Sequence, residues 1–198
     1  NAGLHSVTVT DSKGCETTCS VTITEPDALT CSVVEDSPVV CFEESNGVAT
    51  VTPVGGVGPY SYLWDNGETT AQATGLDAGL HNVDVTDFNG ATTSCNVTIN
   101  QPDDLTCTVV QDSPVTINGA SDGVATVTPV GGNGGYTYLW DNGETTQTAT
   151  GLNAGLHSVT VTDSKGCETT CSVTITEPDA LTCSVVEDSP VVCFEESN

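Results

Sequence analysis

The 198-residue sequence has no methionine, no arginine and only two lysines, Lys13 and Lys165, against 27 aspartates and glutamates, so its formal net charge is −25. A chain this acidic offers no basic face to a phosphate backbone or an anionic lipid surface, which excludes nucleic-acid binding and electrostatic membrane attachment. It also lacks any run near the roughly 18 consecutive apolar residues that a membrane-spanning helix needs, and no segment reads as an amphipathic helix. Aromatic residues are sparse at 5%. Ten cysteines are present without a single CxxC or CxxH knuckle, which removes the usual structural zinc patterns. The chain opens at Asn1 with no start methionine, basic n-region or apolar h-region, and so reads as part of something longer whose secretion signal lies elsewhere.

Ten cysteines are more than a reducing cytosol supports in a protein without a metal site, and they point to an oxidising, extracellular setting. Hydrophobic residues reach 36% while charged residues stay at 15%, and the dominance of Thr, Val and Gly combines β propensity with turn punctuation. The fold class expected is all-β.

Residues 1–46 are identical to residues 153–198 at all 46 positions, an offset of 152. Half that offset still superposes Trp64 on Trp140, and His5 on His81 and His157, so the period is 76 residues. Residues 47–122 and 123–198 agree at 51 of 76 positions, so two slightly different unit types alternate. A fixed period with near-identical copies is the signature of a linear array whose units mainly meet their neighbours. Cutting before Gly47 and Gly123 leaves the C-terminal part of a unit over 1–46 and whole units over 47–122 and 123–198. Cutting at the Pro-Asp linkers instead makes 27–102 and 103–178 the complete domains, with partial ones at the flanks.

Within one unit, short alternating runs read as strands at 48–53, 60–65, 69–74, 80–86, 93–99 and 105–110. Asn66-Gly67 and Asn89-Gly90 supply tight turns, Gly55-Gly56 breaks the chain, and Pro102 and Pro114 mark strand ends. Six or seven such strands in 76 residues suit a small immunoglobulin-like sandwich of two sheets.

The run Gly55-Gly56-Val57-Gly58-Pro59-Tyr60-Ser61-Tyr62-Leu63-Trp64-Asp65-Asn66-Gly67-Glu68-Thr69-Thr70 is followed by Thr74-Gly75-Leu76-Asp77-Ala78-Gly79 and Val83-Asp84-Val85-Thr86-Asp87. With its core GG-x(3)-Y-x-Y-x-W-x-NG-x-TT it resembles the SprB-type repeat of giant gliding-motility adhesins and similar surface proteins of Bacteroidota. The match recurs at 131–163 and, from its middle onward, at 1–11. The resemblance implies tandem immunoglobulin-like or PKD-like β-sandwich repeats of 76 residues in a long extracellular, secreted protein, with no enzymatic activity. Repeats of that family commonly carry one Cys in a D-x-x-G-C turn and another before an S-x-G-x-A-T strand; one unit here has Ala91 and Ile117 instead.

Those two losses travel together, as Cys15 occurs with Cys41 and Cys167 with Cys193. In the frame cut before Gly47 and Gly123 every segment holds an even number of cysteines. That parity pairs Cys95 with Cys107, hence Cys19 with Cys31 and Cys171 with Cys183, leaving Cys15 for Cys41 and Cys167 for Cys193. A hairpin looping at Thr24-Glu25-Pro26 would place Cys19 opposite Cys31. The competing geometry makes residues 29–34 the first strand of the following sandwich, running parallel to its last. It joins Cys31 to Cys95, Cys107 to Cys171 and Cys41 to Cys167.

Tyr60, Tyr62 and Trp64 share one strand face, as their counterparts Tyr138 and Trp140 do, and a sugar-stacking platform is one reading. A Trp on the central strand of such a sandwich is core, so Trp64, Trp140, Tyr62 and Tyr138 are expected inside. Phe42, Phe88 and Phe194, beside turns, are candidates for contacts between units or chains. His5, His81 and His157 recur without a nucleophile or orienting carboxylate nearby in sequence and read as rim residues at a strand start; no catalytic residue is assigned. Asp65 with Glu68, Asp141 with Glu144, and Glu35-Asp36 with Glu43-Glu44 are oxygen ligands of the kind Ca²⁺ prefers, but no EF-hand or nonapeptide pattern frames them, so no cofactor is expected. Thr-x-Thr pairs such as Thr8 and Thr10 read as solvent-facing β positions. Asn96-Val97-Thr98 is an isolated glycosylation sequon.

These features point to a non-enzymatic extracellular filament or stalk that self-associates and adheres at a cell surface, with a surface or extracellular polysaccharide as one partner class. The alternative is an array of carbohydrate-binding modules.

Overall fold

The structure, a computed structural model, describes residues 1–186 and residue 188. Every regular element among them is a β-strand. β1 (Gly3–Thr10) and β2 (Glu16–Ile23) form an antiparallel hairpin in register from Gly3 opposite Ile23 to Thr10 opposite Glu16. Then come β3 (Thr30–Ser37), β4 (Gly47–Val54), β5 (Ser61–Trp64), β6 (Gln72–Leu76), β7 (Gly79–Thr86) and β8 (Thr92–Ile99). A second set follows the same plan: β9 (Thr106–Ser113), β10 (Ser121–Val130), β11 (Thr137–Trp140), β12 (Thr148–Asn153), β13 (Gly155–Thr162) and β14 (Glu168–Ile175).

Each set makes two three-stranded antiparallel sheets. In the first, β3-β4-β6 faces β5-β7-β8; in the second, β9-β10-β12 faces β11-β13-β14. The period-2 pattern explains the layering, because alternate residues of a strand point to opposite faces. His81, Val83 and Val85 of β7 are buried while Leu80, Asn82 and Asp84 face solvent. Ala49 and Val51 of β4 meet Trp64, Ala73, Leu76, Val83, Val85 and Ile99 in one core. The second core repeats it with Ala125, Val127, Trp140, Ala149, Leu152, Val159, Val161 and Ile175. Pro53 is tolerated inside β4 because β6 pairs only with Gly47, Ala49 and Thr50, so no ladder bond is lost where the proline lacks its N–H.

The chain divides into two compact units, Asn1–Asp103 and Asp104–Asn198. β3 pairs with β4 and β9 with β10, so each sheet runs across the positions before Gly47 and Gly123. Each unit contains one sandwich, β3 to β8 in the first and β9 to β14 in the second.

The first and last strands of each sandwich lie in different sheets and are tied across the core. Cys31 of β3 bonds Cys95 of β8 with Cα atoms 6.0 Å apart, and Cys107 of β9 bonds Cys171 of β14, also at 6.0 Å. The nested pairs Cys19–Cys31, Cys95–Cys107 and Cys171–Cys183 are therefore wrong. β2 and β3 do not pair, nor do β8 and β9, so no hairpin exists to set those cysteines opposite one another. Cys15, Cys19 and Cys183 are exposed free thiols, whereas Cys41 and Cys167 are disulfide-bonded, so Cys15–Cys41 falls as well. Cys193, the expected partner of Cys167, lies outside the described residues.

Beyond each bridge the two strands stay joined. Val39 N–H donates to the Asn100 carbonyl at 2.8 Å, and the Glu35 carboxylate accepts from the backbone and side-chain nitrogens of Asn100 at 2.8 and 2.7 Å. In the second sandwich Val115 N–H donates to the Thr176 carbonyl at 2.9 Å, and Gln111 takes the place of Glu35 by accepting from Thr176 N–H at 3.0 Å.

Candidate functional site

The aromatic run is where the sequence concentrates its unusual residues. Trp64 ends β5 and is 2% exposed, with its indole N–H donating to the Thr70 carbonyl at 2.9 Å; Trp140 repeats this on Thr146 at 2.9 Å. The turn after each Trp is closed by its Asn-Gly pair: Gly67 N–H donates to the Trp64 carbonyl at 2.9 Å from a φ of 89°, a conformation glycine adopts without cost. Tyr60 and Tyr136 send their hydroxyls back to the carbonyls of Gly55 and Gly131 at 2.7 and 2.6 Å, closing the Gly-Gly loops. Tyr62 and Tyr138 are half-buried against the two cores. Each part of the GG-x(3)-Y-x-Y-x-W-x-NG-x-TT pattern thus has a folding task. The indole rings are too buried to serve as a stacking platform for sugars.

His81 and His157 are buried and not rim residues, while His5 is exposed. His81 is 8% exposed, with Nδ1 3.0 Å from the Asp65 carboxylate and Nε2 3.0 Å from the Asp77 carbonyl. His157 makes the same pair of contacts with Asp141 and the Asn153 carbonyl, each at 3.0 Å. His5 keeps only the second kind, to the Asn1 carbonyl at 2.7 Å, because the hairpin has no strand like β5 to bring an aspartate. Burial works to lower the His81 pKa but is outweighed by the Asp65 and Asp77 bonds, so the imidazole is held above its ordinary value of 6.5. Burial likewise works to raise Asp65, and the His81 bond together with Asn82 N–H brings it below 3.8. With both ring nitrogens engaged, the pair latches the start of β7 to the end of β5 and leaves no nitrogen free as a general base.

A second set of buried carboxylates escaped the sequence reading. Asp163 is 5% exposed; its Oδ1 accepts from Lys165 and Cys167 N–H at 2.8 and 3.0 Å, and its Oδ2 from the backbone and side chain of Asn133 at 2.7 and 2.9 Å. Burial favours its neutral form, yet these four donors, led by Asn133, hold its pKa at about 2. Asp87 does the same work with Val57, Asn89 and Ala91, and the Val57 bond leads in lowering its pKa. Gly56 and Gly132 make room for this clasp: at Gly132 (φ 61°) a Cβ would sit 2.8 Å from Asp163 Oδ2. The signal was an Asp two or three residues before a turn glycine, the pattern of an Asx turn.

The remaining candidates do not converge. Glu68 accepts from Thr74 N–H at 3.1 Å and Glu144 from Thr150 N–H at 3.2 Å; Glu35 holds Asn100, Asp36 accepts from Thr50, and Glu44 from Asn46. No group of three or more His, Cys, Asp or Glu among the described residues is placed to hold a metal ion. Phe88 is 72% exposed and Phe42 partly so, while Phe194 lies outside the described residues. Among the described residues no helix is long and apolar enough to cross a membrane.

The SprB repeat family matches residues 35–69 and 111–145, in each sandwich from the end of the first strand to the turn after the aromatic one. At both places the chain is similar to the SprB repeat. Solved structures similar to it include three N-terminal domains of the highly immunogenic outer capsid protein of bacteriophage RB49, at 21% identity and TM-score 0.48 over 76% of this chain and 59% of that one. Others are the eight N-terminal Ig domains of Down syndrome cell adhesion molecule, at 12%, 0.41, 88% and 26%, and a tetra-tandem repeat from the extending region of a large adhesion protein, at 17%, 0.26, 86% and 55%. The chain spans less than two thirds of each of these proteins' structures. No curated protein matches the chain.

Proposed function

We propose that this chain is a segment of an extracellular, cell-surface filament or stalk, built from SprB repeats in series and used for attachment, including the attachment that gliding cells need. Self-association of such chains and binding of a surface or extracellular polysaccharide are part of the proposal. The observation that carries it is the repetition of one sandwich plan: each sandwich has its own core and its own disulfide from first to last strand, as a module used in series requires. A charge of −25 keeps such a polymer soluble and self-repelling. The site geometry asks for no catalysis, since the histidines and buried aspartates are spent on latching strands and turns.

Electron microscopy of the native material tests the reading. Filaments with an axial repeat of tens of ångströms, labelled on intact cells by antibodies against residues 27–178, are expected. Compact unassembled monomers, or antigen confined to the cell interior, would overturn it.

A further inference from the structure

Tension arriving along the polypeptide meets each sandwich at its first strand and leaves by its last. The disulfide of the first sandwich joins Cys31, the second residue of β3, to Cys95, midway along β8, across a sequence separation of 64. Cys107 and Cys171 stand in the same places on β9 and β14, again 64 apart. We propose that each bridge is a load-bearing bypass that makes its module inextensible: force passes from first strand to sulfur to last strand, and the loop that the bridge closes is withheld from extension.

Two observations support this beyond the existence of the bond. The linked strands run in the same direction, because Cys31 faces Cys95 while, four residues on, Glu35 reaches Asn100. The chain therefore enters and leaves a module at opposite ends, and pulling shears β3 against β8 along the line that the disulfide spans. In antibody-type sandwiches the inter-sheet bridge joins inner strands and leaves the terminal strands outside the closed loop, where they can peel. Here only short flanks are left outside. The flank after Cys95 is fastened by antiparallel pairing with β7, from Asn82 opposite Asn96 to Gly79 opposite Ile99, and by the Glu35–Asn100 bonds.

The bypass deepens the filament reading, on which its biological use rests, but the physical property belongs to the isolated molecule. The test is single-molecule stretching of the full 198-residue chain, held at its two ends, with disulfides intact and after complete reduction. With two loops of 64 residues withheld, at about 3.4 Å per extended residue, the oxidised chain should reach a contour length at least about 400 Å shorter than the reduced one. It should also show no unfolding step near 200 Å. Equal contour lengths, or such steps in the oxidised chain, would overturn the proposal. Total length is read whether or not the reduced sandwiches still fold. Native material that proved to be compact monomers, with the length difference intact, would sink the filament reading and leave the bypass standing.

Discussion

Asp163 collects four donors from two loops that are distant in sequence, and this makes it a structural charge and not a reactive one. Because its folded pKa is depressed to about 2, its contribution is complete above the ordinary value of 3.8 and is lost as pH falls toward 2. Asp163→Asn places an amide against a cluster of N–H donors. It is expected to lower the second unit's stability by about 1–3 kcal/mol at neutral pH in denaturant titrations, with the gap narrowing as pH approaches 2. The His81–Asp65 latch has a different window. Asp65 contributes above 3.8 and loses its part as pH falls through its lowered value; His81 contributes below 6.5 and loses its part as pH rises through its raised value. The His81 ring should therefore titrate above 6.5 by NMR and fall back toward that value in Asp65→Asn. At this scale the sequence showed which residues are unusual but not what they touch. Trp64 was legible as core because aromatic alternation on a strand has few other uses. His81 was misread as a rim residue because its aspartate, 16 residues away, arrives only when β5 lies beside β7.

At the scale of elements, the hairpin β1–β2 and the pair β13–β14 have the same sequence, Gly3–Ile23 against Gly155–Ile175, and the same register. Val159 and Val161 are buried, yet Val7 and Val9 are exposed. The difference is the facing sheet β9-β10-β12, so burial comes from packing between layers and not from the strand itself. A lone two-stranded hairpin is marginal in water. Amides of β1 and β2 should consequently exchange with deuterium at least about a hundredfold faster than their identical counterparts in β13 and β14, whose protection follows the stability of the sandwich. Two resolved sets of NMR amide signals would show it. The ends of strands are equally demanding. Gly47 has an ordinary φ, but a Cβ there would lie 2.6 Å from Ile99 Cγ2 and 2.9 Å from the Leu76 carbonyl. Gly47→Ala is expected to cost about 1–3 kcal/mol in the first unit alone, as read by thermal unfolding. Most strand positions were legible, since period-2 alternation and Asn-Gly turns report local geometry directly, but the run expected at 69–74 forms its strand later, at Gln72–Leu76.

For the whole molecule, the sequence left two groupings of strands open, and the structure has the competing one, with Cys31 joined to Cys95 and Cys107 to Cys171. Counting cysteines by parity favoured the nested pairing because parity is blind to the face on which a side chain lies. Cys31 and Cys95 occupy inward positions of strands on opposite sheets, a fact of packing with no trace in their spacing. The corrected pairing also matters energetically: closing a loop of 64 residues is worth on the order of 4 kcal/mol by chain entropy, a large share of the stability of a module this small. The account depends most on that pairing, and mass spectrometric mapping of unreduced peptides from native material tests it most directly. Cys95 and Cys107 sit in peptides that occur once in the chain, so a bond between the two is told apart from bonds of either to the repeated Leu-Thr-Cys-Ser sequence (Cys31 and Cys183) or Thr-Thr-Cys-Ser sequence (Cys19 and Cys171). The prediction is Cys95 joined to a Leu-Thr-Cys-Ser peptide, the sequence around Cys31, and Cys107 joined to a Thr-Thr-Cys-Ser peptide, the sequence around Cys171. Cys95 joined to Cys107, or either recovered as a free thiol, would contradict it.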